Sequence, residues 1–279
     1  MSAEIVLIIL AAALLHAIWN TVVKTAADRT VTLGLVALGH VIPGALMVAV
    51  LPLPNVESLP YLAGSTVVHF GYFYMLNQAY RHGDLSVVYP IARGVVPALV
   101  ALWAVIFAGE HLPTQAWIGI AVIATGIQLS SWSVLRQGVG RASLVFALGT
   151  GCFISIYSLV DGLGVRVSGN ILSYWAWHSV LHIFVVGFVA LRRGARVLDL
   201  PLRIWVIGIA GGMVSMTAYG LVLYAKNFAP LGVVSALRET SVIFAALIGF
   251  LFLGEGNPMR RLLAAVMMAA GVTLIALSS

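Results

Sequence analysis

The chain has 279 residues, of which 61% are hydrophobic and only 9% charged, with a formal net charge of +6. A soluble domain carries about 25% charged residues, so a water-soluble fold of this length is excluded and lipid is the expected solvent. The single cysteine, Cys152, excludes an internal disulfide and a cysteine-based metal cluster.

Hydrophobic runs bounded by glycine, proline and charge predict ten membrane-spanning segments. Each is expected to be a helix, because unpaired backbone groups are too costly in lipid. The predicted spans are residues 3–23, 31–51, 59–80, 84–108, 113–133, 142–162, 170–191, 201–225, 230–253 and 260–278. Glycines in several of them, including the Gly211-Gly212 pair, indicate close helix packing.

The halves 1–140 and 141–279 are interpreted as repeats, because the pattern of residues 85–110 returns at residues 231–255. Each half holds five spans, and an odd number means that the second half enters the membrane from the opposite side. The predicted fold is therefore an all-α membrane protein, with ten transmembrane helices in two inverted five-helix repeats. Glu110 and Glu255, at equivalent span ends, are expected to cap helices or pair with loop arginines.

Arg93 and Arg238 are the main candidate binding residues, since they occupy matching positions in the two halves. At 1.5 Å per residue they lie roughly 13 and 12 Å below opposite surfaces, so both approach the midplane of a core of about 30 Å. Guanidinium groups bind carboxylates, phosphates and phosphonates bidentately, which favours an acidic substrate. The alternative is internal ion pairing, with Glu239 and Asp84 as partners.

Span four has a second feature around Arg93. Pro90 and Pro97 lack amide hydrogens and Gly94 lies between them, so the helix is expected either to break at the arginine or to kink. Span nine lacks these prolines, which makes span four the candidate for a specialised backbone.

Ionisable side chains within the spans are candidates for proton coupling. Glu239 is the one carboxylate predicted deep in a span, where it could bind an amine or carry a proton. His178 and His182, spaced i, i+4, could relay protons. Metal is not expected there because the spacing offers no third ligand, and no cofactor is expected.

Aromatic and polar residues in the spans are candidates to line a substrate cavity, although membrane aromatics usually serve packing or the interface. Tyr89 lies one turn before Arg93 on the same helix face. His69 shares span three with other polar side chains, whereas His16 and His40 are interpreted as packed histidines. The full set of candidates is Tyr89, Trp19, Asn20, His69, Tyr72, Tyr157 and Trp177.

Basic residues are distributed unequally between the two sets of loops. One set carries Lys24, Arg29, Arg81, Arg136, Arg141, Arg192, Arg193, Arg196, Arg203, Arg260 and Arg261. The other holds only Arg166 and Lys226. The positive-inside rule places the rich side in the cytoplasm and both termini outside. Anionic lipid, rather than nucleic acid, is the expected partner of these charges.

Four segments carry a family resemblance: residues 16–20 with Lys24, and residues 80–86, 88–94 and 161–166. In these the chain resembles the ten-helix EamA branch of the drug/metabolite transporter superfamily, as two tandem halves. The resemblance implies a central cavity that opens alternately to each side. It also implies an amino acid, another metabolite or a drug as substrate, and cytoplasmic termini, opposite to the charge count.

The sequence contains no nucleotide-binding signature, so ATP-driven pumping is not expected. It predicts a multi-pass secondary transporter of the bacterial inner membrane, not an enzyme. The solute is expected to be a small anionic or zwitterionic metabolite, amino-acid-like or phosphonate-like. The family resemblance implies that it is moved by alternating access in proton-coupled efflux. A monomer is expected to suffice, with no protein partner. The alternatives are a lipid-linked sugar flippase and an intramembrane enzyme that uses His178, His182 and Glu239.

Overall fold

The computed structural model describes residues 1–24, 26, 28–82, 85–130, 140–194, 199–253 and 258–277. Within these residues the secondary structure is helical, and a 3₁₀ turn lies at Val56–Ser58. The α-helices are α1 (Ala3–Lys24), α2 (Arg29–Val50), α3 (Leu59–His82), α4 (Leu85–Ala108), α5 (Thr114–Ser130), α6 (Arg141–Val167), α7 (Ile171–Val180), α8 (Ile183–Arg193), α9 (Leu202–Phe228), α10 (Leu231–Arg238), α11 (Ser241–Leu253) and α12 (Pro258–Leu277).

The ten predicted spans are confirmed, with ends that differ by a few residues. Spans one to six are α1 to α6, span eight is α9 and span ten is α12, whereas spans seven and nine each consist of two helices. By length and composition, six spans of the described chain can cross a membrane. The remaining four, spans three, five, nine and ten, are more polar, shorter or interrupted.

The two halves pack with a twofold pattern of contacts. Span three packs on span six, and the equivalent contact is that of span eight on span one. Span four also packs on span six, and the equivalent contact is that of span nine on span one. Spans two and seven, four and nine, and five and ten each contact their own counterpart. Exchanging the halves leaves this set of contacts unchanged, as expected for inverted repeats.

The helix break falls in span nine and not in span four. Helix α4 runs without interruption through Pro90 and Pro97, so the prediction of a helix broken at Arg93 is wrong. In span nine the N–H groups of Glu239 and Thr240 bond the carbonyls of Ala236 and Leu237, three residues back. Neighbouring helices can satisfy the groups that a proline frees within a membrane, so proline alone did not locate the break.

Glycines bring the helices into backbone contact, as the sequence indicated. A Cβ added to Gly39 of α2 would lie 2.6 Å from the Gly212 Cα of α9. A Cβ added to Gly119 of α5 would lie 2.7 Å from the Gly271 carbonyl oxygen of α12. Helices that approach this closely gain van der Waals contact, the main attraction between helices in lipid.

We expect Gly39→Ala to destabilise the protein by about 1–3 kcal/mol, because the new methyl group meets backbone atoms that cannot move aside cheaply. The melting temperature in detergent should fall by about 5 °C. Gly187→Ala is the matched control, since no atom lies within 4 Å of the Cβ it would add. Equal melting temperatures for the two variants would show that the close crossing is not needed.

Candidate functional site

The two predicted arginines lie on spans four and nine, which come from different halves and pack on each other. This contact is called the seam. Arg93 of α4 is 5% exposed, and its Nε lies 2.9 Å from the Glu239 Oε2 at the break between α10 and α11. Glu239 is fully buried. The contact has the geometry of a close ion pair and not of an aligned hydrogen bond. Glu239 therefore pairs with the arginine of the opposite half and not with its sequence neighbour, as the 100° between adjacent helix positions allows. Asp84, the other predicted partner, lies outside the described residues.

Arg238 has a different environment, although it is equally buried at 4% exposure. None of the described residues forms a hydrogen bond or ion pair with its guanidinium, and its Nε is enclosed without an acceptor. Its charge acts on His16 of α1 and on Tyr219 and Lys226 of α9. A buried cation without a counter-charge is costly, so this position favours an anion.

Trp19 and Asn20 both contact His16, and the charges of Arg93 and Arg238 act on the His16 ring. The Trp19 indole donates to the His16 Nδ1 at 3.2 Å, and the Asn20 amide donates to the His16 carbonyl at 2.8 Å. Because Nδ1 accepts, the neutral ring carries its proton on Nε2. Both arginine charges act on the ring. His16, interpreted from the sequence as a packed histidine, therefore lies within the electrostatic influence of both arginines.

A second set of predicted residues gathers around His69 of α3. Its ring stacks on Tyr157 of α6 at 4.2 Å and lies 5.9 Å from His178 and 6.3 Å from His182. Tyr72 approaches the Tyr157 ring at 5.9 Å. His40 of α2 stacks on His182 at 4.3 Å, which extends the cluster to span two.

A buried carboxylate, Asp161 of α6, adjoins this second set. It is fully buried, and the hydroxyl groups of Tyr174 and Tyr219 donate to its two oxygens. The prediction that Glu239 was the only deep carboxylate is therefore wrong. Helix α6 continues to Val167, five residues past the predicted end of span six, which carries Asp161 into the bundle.

Lys226 also lies deeper than predicted. The sequence placed it in a loop, but it is fully buried on α9 and its Nζ donates to the Ser158 carbonyl at 2.8 Å. Span eight extends to Phe228, past the predicted end at residue 225. A lysine next to a predicted span end was read as a loop charge for that reason alone.

Two candidate residues are not brought to either set. Trp177 is partly buried and packs on the apolar cluster of Leu62, Val165, Tyr174 and Leu223. The side chain of Tyr89 lies outside the described part of the chain. Among the described residues no group of three or more histidine, cysteine, aspartate or glutamate side chains is arranged to hold a metal ion.

Two cavities lie away from the arginines. One, of about 30 Å³, is lined by His69, His178 and His182 together with Ser65 and apolar residues of α3 and α8. The other, of about 600 Å³, lies between the C-terminal ends of α6 and α9 and the start of α7 and includes Arg166, Trp175 and Asn227.

Glu110 joins three loops at one end of the bundle. Its carboxylate accepts from the Leu231 N–H, at the start of α10, and from the Arg166 Nη2 at 2.8 Å. Arg166 also donates to the carbonyls of Lys226 and Ala229. The expected capping role is confirmed for Glu110, whereas Glu255 lies outside the described residues.

Comparisons with known proteins give one family match and one full-length structural match. A family model described as the EamA-like transporter family matches residues 3–132 and 141–277. None of the curated proteins matches significantly. A solved structure, described only as a crystal structure of a protein, matches with a TM-score of 0.75 over 100% of both chains at 17% identity. At that identity the structural match establishes the fold alone.

Proposed function

The chain belongs to the EamA-like transporter family, and from this premise we propose that it moves a small anionic or zwitterionic metabolite, amino-acid-like or phosphonate-like, by alternating access. The transport is coupled to the proton gradient, and the membrane is the bacterial inner membrane. Because the family is one of transporters, the intramembrane-enzyme alternative is wrong.

The observation that carries this proposal is that no residue of the described ranges pairs with Arg238. The described part of the seam holds two arginines and one carboxylate, and the Arg93–Glu239 pair accounts for one charge of each sign. One positive charge remains, on a guanidinium that is 4% exposed. A carboxylate, phosphate or phosphonate would supply the missing charge and could bind two N–H groups of the fork.

The position of Arg238 also suits alternating access. It is the last residue of the short helix α10, directly before the turn at Glu239 and Thr240. A helix interrupted near mid-membrane is where repeat-built transporters hold their substrates. The ion pair between Arg93 and Glu239 crosses the seam at the same turn, so movement of one half against the other would act on the site directly.

The site residues are assigned roles on this basis. Arg238 binds the acidic group, while Arg93 and Glu239 hold the turn in place. His16, with Trp19 and Asn20, forms the wall on the side of α1. Polar groups on the substrate would meet the His16 Nε2–H or the Tyr219 ring.

A thermal-shift screen of the purified protein tests this function. The panel comprises L-alanine, L-aspartate, succinate, methylphosphonate and tetraphenylphosphonium, a permanent cation. We expect an acidic member to raise the melting temperature, and the same member to show counterflow into sealed vesicles. A shift with tetraphenylphosphonium alone would contradict the proposal.

We further propose that both termini face outward. The two basic residues on the poor side are engaged inside the protein, since Arg166 binds Glu110 and Lys226 is fully buried. Because neither acts as a free loop charge, the difference in basic loop residues between the two sides, on which the positive-inside rule depends, is larger than the sequence count. We expect an alkaline phosphatase fused after Ser279, which is active only outside the cytoplasm, to be active. A fluorescent reporter that works only in the cytoplasm, bright at the same position, would contradict this orientation.

A further inference from the structure

Asp161 is surrounded by hydrogen-bonding groups from two other helices. Tyr174 of α7 donates to its Oδ1 at 3.2 Å, and Tyr219 of α9 donates to its Oδ2. The His178 Nε2 lies 3.6 Å from the same Oδ2. This carboxylate is fully buried, and its described contacts are with residues other than Arg93 and Glu239.

His178 has one ring nitrogen committed and one open. Its Nε2 faces Asp161, but no described residue forms a hydrogen bond with its Nδ1, although the side chain is 6% exposed. The cavity of about 30 Å³ adjoins the ring and has room for a water molecule or two. Each ring nitrogen of a histidine can donate or accept a proton, so a ring between a carboxylate and a small, mostly apolar cavity with room for water can pass a proton from one side to the other.

Lys226 supplies a positive charge on the other side of Asp161. Its ammonium is fully buried and donates to the Ser158 carbonyl, one turn from Asp161 on α6. The two charges attract each other, yet no ion pair within 4 Å joins them among the described residues. Lysine has three donors, and a buried ammonium that satisfies one of them depends on the surrounding charges for its stability.

The groups that face this region come from five helices. Asp161 and Tyr157 lie on α6, His178, His182 and Tyr174 on α7 or at its end, Tyr219 and Lys226 on α9, His69 on α3 and His40 on α2. Arg238 acts on Tyr219 and Lys226 from α10, and Arg166 acts on Lys226 from the end of α6. The substrate-binding arginine is therefore in electrostatic contact with the neighbours of Asp161.

We propose that Asp161 and His178 together bind the proton that is transported with the solute, with Lys226 as their fixed positive neighbour. This inference rests on the proposed function, because it assigns the coupling site of the same transporter. The pair takes up one proton from the water on one side of the membrane and releases it to the other. Glu239, the alternative coupling residue, is held by Arg93.

The charges also fix the direction of coupling. A bound anion neutralises Arg238, which lowers the positive potential at Tyr219 and Lys226 and favours a proton on the adjacent pair. By linkage the proton favours the anion to the same extent. The two therefore bind together and move in the same direction, so an inward proton gradient drives uptake. Efflux, which the family resemblance implied, then requires an outward gradient of the solute.

The test measures uptake of radiolabelled L-alanine, L-aspartate, succinate and methylphosphonate into sealed vesicles. For each solute, the rate of uptake under an outside-acid pH gradient is divided by the rate of counterflow measured without a pH gradient. With one coupled proton, a gradient of about one pH unit can raise accumulation up to about tenfold. We expect the wild-type ratio to exceed one and to fall to about one in both Asp161→Asn and His178→Gln. Glu57→Gln, an exposed carboxyl, is the matched control and should keep the wild-type ratio.

The possible failures are distinguishable. Wild-type ratios in both variants would overturn the inference, as would uptake driven by an acid interior. Counterflow without a response to either gradient would overturn it together with the proposed proton coupling, while leaving transport of the acidic solute by alternating access in place. Absence of counterflow for every acid would count against the proposed function itself. If Asp161→Asn does not fold, His178→Gln decides.

Discussion

Replacing Arg238 by methionine is expected to weaken binding of an acidic solute by at least about a hundredfold, while the protein becomes no less stable. Two charge-assisted hydrogen bonds to a carboxylate contribute about 3 kcal/mol or more, which corresponds to that factor. No described residue loses a partner, because none forms a hydrogen bond or ion pair with Arg238. Removal of a buried, uncompensated charge should instead raise the melting temperature. Isothermal titration and thermal unfolding in detergent measure the two effects.

Arg203→Met is the matched control for this change. It removes the same charge from an exposed position at the start of α9, and both binding and stability should remain near wild type. Loss of stability in Arg238→Met would show that the arginine holds helices together, as the ion-pairing alternative requires. Unchanged affinity for acids would remove Arg238 from the binding site.

Replacing Glu239 by glutamine is expected to destabilise the protein by about 3–5 kcal/mol. The carboxylate is fully buried against the Arg93 Nε at 2.9 Å, so the substitution removes the charge that compensates a buried cation. The double variant Arg93→Met with Glu239→Leu should recover most of this loss, since replacing both members of a buried pair by apolar groups is often neutral. Chemical unfolding of the purified wild-type protein, Glu239→Gln and the double variant gives the free energy of unfolding of each.

Glu57→Gln provides the baseline, because this glutamate is exposed and should tolerate the same change. If the double variant is as unstable as Glu239→Gln, the pair does not act as a unit and the seam must be held by other contacts. If Glu239→Gln is as stable as wild type but transports poorly, Glu239 serves the substrate or the proton and not the turn.

The architecture was accessible from the sequence because few physical constraints determine it. Unbroken apolar stretches of membrane length must form helices, and five spans in each half force the repeats to be inverted. The matching positions of Arg93 and Arg238 follow from the repeat, which places both at the seam. These inferences depend on composition and spacing, and not on which side chains touch.

The partners of the buried charges were not accessible in the same way. Glu239 stands next to Arg238 in sequence but pairs with Arg93, because the turn after α10 directs the two neighbours apart. Asp161 and Lys226 fell near predicted span ends, and helix ends are the least certain part of such predictions. The longer helices observed bring both into the interior, and with them a second polar site.

His178 and His182 show the middle case. Their i, i+4 spacing predicted one shared face and a role in proton transfer, and the structure places both beside His69. The spacing did not show which of the two histidines lies beside the Asp161 carboxylate. His178 faces Asp161, whereas His182 stacks on His40 and its Nδ1 lies 3.1 Å from the His178 carbonyl.

The most direct test of the central claim, that Arg238 holds the acidic group of the transported solute, compares each acid with its own amide in sealed vesicles. The pairs are L-alanine with L-alaninamide, L-aspartate with its diamide, and succinate with its diamide, so that each partner carries no carboxylate. For any acid that shows counterflow, we expect the partner without that carboxylate to move at a small fraction of its rate, and Arg238→Met to remove the difference. An amide that moves as fast as its acid through the wild-type protein would contradict the claim.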